Sequence, residues 1–98
     1  MAKKNDFNSF SKDKQDTIVN LEAIQLTLNE CINEGMLDEE DQYYNELIQL
    51  LNEARIVKTY PELSEVITKA KNLESDIGAW LSMKGRESAS IAWPKTPK

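Results

Sequence analysis

A chain of 98 residues, 40% hydrophobic and 30% charged, has room for one folded domain and too much apolar content to stay disordered. Its charge is uneven: residues 15–83 carry 14 acids against 4 bases, a balance of −10, while 1–14 and 84–98 together carry 8 bases against 3 acids, +5. The acidic middle repels phosphate and argues against nucleic acid as a partner, and no apolar run reaches the roughly 18–20 residues of a membrane span.

The opening residues, MAKKNDFNSF, have two lysines but no apolar stretch after them, so no secretion signal is expected there. They read as a flexible arm, residues 1–10. The basic flanks suit an acidic partner or a lipid surface, although solvated tails are the commoner role. The single Cys31 has no intramolecular disulfide partner, which fits a reducing compartment. The expected location is cytoplasmic.

The first helix is expected from Ser11, a candidate N-cap, to Glu34, with Gly35 supplying the left-handed stop. Leu21, Ile24, Leu28 and Cys31 form its 3-4-3 seam. A second helix begins near Asp38, where acids at 39–41 favour the positive end of the helix dipole, and its seam is Tyr43, Leu47, Leu50, Ala54 and Val57. The third starts at Thr59, which with Glu62 makes a capping box, with Pro61 in the first turn. Its seam, Leu63, Val66, Ala70, Leu73, Ile77 and Trp80, runs to about Lys84, before Gly85.

Short connections make neighbouring helices antiparallel. The expected fold is therefore all-α, an antiparallel three-helix, coiled-coil-like bundle over residues 11–84, followed by a flexible tail, 85–98. Trp80 should then lie near Tyr43 and the Cys31/Ile32 turn at one end. Tyr60 and Leu63 should lie near Val57 and the start of the first helix at the other, with Phe7 and Phe10 covering that end.

Catalytic and metal chemistry has little to work with. The chain has no histidine, and its three separated glycines build no phosphate loop. Cys31 falls on a seam and reads as a buried structural thiol. The run Asp38-Glu39-Glu40-Asp41 fails as a calcium loop, because the sixth and twelfth places from Asp38 hold Tyr43 and Gln49 rather than a glycine and an acid. No enzyme activity, cofactor or metal is expected. Residues 30–46 nonetheless hold seven acids and no base, so one bundle end should be strongly negative.

The surplus apolar residues point to an interface. With Leu21 and Leu28 at position a, Ile18 and Ile32 fall at e, which a bundle buries, whereas Val19 and Leu26 fall at f, opposite the seam, with Ala23 at c. Tyr44, Ile48 and Leu51 stand beside the second seam, with Ile56 at c. In the tail, Ile91-Ala92-Trp93-Pro94 offers an aromatic that must pack on the bundle or on a partner; the PxxP spacing of Pro94 and Pro97 is a weak signal for polyproline recognition.

The expected function is a small cytoplasmic protein-binding module, an adaptor, co-chaperone or regulatory subunit in the style of a chaperone. Val19, Ala23, Leu26, Ile48, Leu51 and Trp93 are the candidate contacts for a protein partner, a homodimer included. The alternatives are an acidic inhibitor that mimics nucleic-acid charge and a purely structural homo-oligomer.

Overall fold

A computed structural model describes residues 6–36, 41–85 and 91–94, with the side chains of 6–9 excepted. Three helices account for most of it: α1 (Asp6–Asn33), α2 (Gln42–Ile56) and α3 (Tyr60–Met83). They pack as an elongated antiparallel bundle, 50 × 22 × 18 Å.

Local chemistry sets each boundary. At the end of α1, Gly35 has φ +76°, its N–H donates to the Ile32 carbonyl (3.0 Å), and the Met36 N–H donates to the Cys31 carbonyl (2.9 Å). This is the Schellman arrangement, and Met36 completes it by packing against the core. The N-cap of α2 is Asp41, whose Oδ1 accepts from the Tyr43 N–H at 2.9 Å. The expected start at Asp38 is thus later by a few residues; Asp38, Glu39 and Glu40 lie outside the described residues.

The capping box of α3 is formed as expected. Thr59 Oγ1 accepts from the Glu62 N–H (3.4 Å), and Glu62 Oε1 accepts from the N–H groups of Thr59 (3.2 Å) and Lys58 (2.9 Å). The Lys58 amide, ahead of the Thr59 hydroxyl, holds the Glu62 carboxyl below the usual carboxylate range.

The start of α1 corrects the sequence reading. Residues 6–10 are helical rather than part of a loose arm, and Ser11 lies inside the helix. The extra turn brings Phe10 edge-on to Tyr60, with ring centroids 5.2 Å apart at 83°. Around this contact Tyr60 OH donates to Asp13 Oδ2 (3.3 Å), and Lys14 Nζ donates to the Val57 carbonyl (3.0 Å). Phe7's side chain lies outside the described residues. At the opposite end Tyr43 and Trp80 meet edge-on, 6.2 Å apart, as the up-down-up topology requires.

The core is a single apolar column. Leu21, Ile24, Leu28 and Cys31 come from α1; Leu47, Leu50, Leu51 and Ala54 from α2, with Val57 just beyond it; Leu63, Val66, Ile67, Ala70, Leu73, Ile77 and Leu81 from α3. Among the described residues Thr17 is the one buried polar side chain, and its hydroxyl donates to the Asp13 carbonyl at 2.8 Å, which offsets the cost of burying it. Ile18 and Ile32 are half-buried against this column, the outcome expected of e positions.

Three core members depart from the expected seams, among them Ile67, which is buried beside the seam of α3. Leu51, placed beside the seam of α2, is only 2% exposed. α2 packs closely on both α1 and α3, whereas those two approach each other less, so the middle helix buries more of its circumference. In α3, Leu81 is buried while Trp80 is only half-buried. Leu63 and Leu81 are eighteen residues apart, five turns of about 3.6 residues, so on a straight helix they face the same way and the heptad position of Trp80 has drifted off the core.

Candidate interaction surfaces

The outer face of α1 carries exposed apolar side chains on the side of the bundle. Val19 is 50% exposed and Leu26 67% exposed, with Ala23 exposed between them. Helical spacing makes these three one stripe, pointing away from Leu21 and Leu28. On the α2 side the stripe is bordered by Glu22, whose Oε2 lies 3.6 Å from the Arg55 guanidinium. Half-exposed ion pairs of this kind contribute little stability. Their effect here is to rim an apolar strip with charge.

On its other side the stripe meets residues 91–94. Ile91 packs against the core and lines a pocket together with Ala23, Ile24, Thr27, Ile77, Gly78 and Leu81. Asn20 Nδ2 donates to the Ala92 carbonyl at 2.9 Å, and Trp93 Nε1 donates to Glu74 Oε1 at 2.8 Å. Trp93 and Pro94 then line a cleft with Lys12, Asp13, Asp16, Val19 and Asn20. Residues 91–94 therefore run down the groove between α1 and α3, antiparallel to both. This part of the expected flexible tail is seated on its own bundle.

The remaining candidates divide. Ile48 is half-buried and packed against the core, so only part of it reaches the surface. Leu51 is removed from the candidate contacts, because its side chain is enclosed by the core. Exposed apolar residues also stand at two helix ends, Ile56 (71%) and Met83 (84%), and the sequence placed only Ile56 off the seam.

The acidic end is partly described: Glu30, Glu34, Asp41 and Glu46 surround the turn from α1 to α2. Among the described residues no group of His, Cys, Asp or Glu is arranged to hold a metal ion, and no helix is long and apolar enough to cross a membrane. Cys31 is fully buried. No family model matches the chain, and neither a curated protein nor a solved structure shows detectable similarity to it.

Proposed function

We propose that this chain is a small protein-binding module, an adaptor or regulatory subunit that engages another protein through the outer face of α1. The observation that carries this reading is the stripe of Val19, Ala23 and Leu26. Neither α2, α3 nor residues 91–94 covers Leu26, and Val19 is left half open. A paired apolar ridge with a charged border is the form a helix-face recognition site takes. A cytoplasmic setting agrees with a lone thiol kept inside the core.

The test compares the wild-type chain with Val19→Asp and Leu26→Asp variants by light scattering over a range of concentration and by affinity capture from the native source. The variants should lose captured protein, and binding by the wild type should change little with salt, as an apolar contact requires. Unchanged oligomeric state together with unchanged capture in both variants would remove the α1 face from consideration. Steep weakening by salt would instead favour charge mimicry by the acidic end.

A further inference from the structure

α1 and α3 pack on each other less than either packs on α2, and residues 91–94 lie along the seam between them. These residues have no regular secondary structure, but their exposure alternates: Ile91 and Trp93 are half-buried against the core, and Ala92 between them is exposed. An extended chain turns alternate side chains to one face, so both apolar groups meet the bundle together. Asn20 holds the Ala92 carbonyl from α1 at 2.9 Å, and Glu74 holds the Trp93 indole N–H from α3 at 2.8 Å. Residues 91–94 thus tie together the two helices that pack on each other least.

The tie is weaker than the column beneath it. Its hydrogen bond from Asn20 is exposed, and among the described residues no backbone–backbone hydrogen bond reaches 91–94. Ile91 and Trp93 are only partly covered, whereas every member of the column is at most 6% exposed. A segment with few buried contacts opens at a smaller free energy than the packed helices it rests on.

We infer that residues 91–94 are a strap that closes the α1–α3 side of the bundle and releases as one unit while the three helices stay folded. The strap regulates the α1 face, and in this the inference rests on the proposed role of that face. Val19 lines one cleft with Trp93 and Pro94, and Ala23 lines one pocket with Ile91, so the shut strap borders the apolar stripe. Release removes the Ile91 wall of the pocket that Ala23 shares with Ile24 and Ile77, and the apolar face widens from α1 toward α3. The device needs no other occupant of the seam.

Trp93 reports the strap directly. The chain has two tryptophans, and Trp80→Phe leaves Trp93 alone. In that full-length background, urea should shift Trp93 emission to longer wavelength before the helical circular dichroism is lost, with midpoints about 1 M or more apart. Glu74→Ala and Asn20→Ala should each move the Trp93 midpoint to lower urea and leave the helical midpoint nearly in place. Nile red, a neutral dye that brightens on apolar surface, should gain severalfold emission with Ile91→Ala/Trp93→Ala at unchanged helicity, and Leu26→Asp in that background should reduce the gain.

Coincident Trp93 and helix transitions in every variant would overturn the inference, because residues 91–94 would then belong to the cooperative core. So would Trp93 emission at the wavelength of free tryptophan in native buffer, or emission that reaches it on dilution, which places the segment on a second copy. An unchanged Nile red signal in the folded, strap-vacated chain would sever the strap from the α1 face. Failure of the α1 reading alone looks different: the Trp93 transition still precedes the helical one and the dye gain persists, but Leu26→Asp leaves that gain untouched.

Discussion

Leu26 and Leu51 look alike in sequence, both standing off a heptad seam, but the fold exposes one and encloses the other. Alanine substitution separates them. Burying a leucine side chain and then deleting it costs about 2–5 kcal/mol, a transfer contribution plus the cavity left behind. Leu51, at 2% exposed, belongs to that range, so about 3 kcal/mol is expected. A disulfide-free bundle of this size has a margin of about 3–5 kcal/mol, so Leu51→Ala should use most of it. The folded-to-unfolded ratio falls by about two powers of ten.

Leu26→Ala, at a site 67% exposed, should stay within about 0.5 kcal/mol of wild type, since the small loss of packing is offset by alanine's helix propensity. Urea unfolding followed by circular dichroism reads both variants. With a slope near 1 kcal/mol per molar, about the value for a chain this small, the Leu51→Ala midpoint drops by about 2–3 M while that of Leu26→Ala barely moves. Equal shifts for the two at low protein concentration would refute the division of surface from core. A Leu26→Ala cost that appears only as concentration rises would instead report self-association through α1.

Other consequences are as direct. Thr59→Ala removes the acceptor of the α3 capping box and should cost about 1 kcal/mol in urea melts. Because the folded chain holds the Glu62 carboxyl below its ordinary range, its contribution is complete above that range and is lost as pH falls through the lowered value; melts taken from neutral pH into acid should show this loss, and Glu62→Gln should flatten it. Gly35→Ala meets nothing within 4 Å, so its cost is the left-handed backbone alone, about 1–2 kcal/mol, and the thermal midpoint should fall accordingly. Cys31, fully buried, should react with a thiol reagent at the rate of bundle opening, and Leu51→Ala should accelerate that reaction in proportion to its loss of stability.

How far the sequence carried depended on how local the cause was. Gly35, Thr59 and Glu62 act within a turn of themselves, and their roles could be read from spacing. The seam of α1 was legible because a helix in contact mainly with one neighbour buries a narrow strip. Leu51 was not, since its burial depends on α2 being flanked on both sides. Trp80 and Leu81 exchanged places because the heptad repeat and a straight helix part company over five turns. The seating of Ile91 and Trp93 was open in the sequence because it depends on how far α1 and α3 diverge. The start of α1 was obscured for another reason: Ser11 is an acceptable cap, yet it lies inside the helix. The helix continues through it and brings Phe10 onto Tyr60 across the bundle.

The contact between Asn20 and Ala92 joins residues 72 apart in the chain. Asn20 and Ala92 can meet only after α1 and α3 are in place, so the cause of this seam is the assembled bundle rather than any local stretch of the chain. Its hydrogen bond is exposed, and contacts of that kind open locally while the packed column beneath them stays closed.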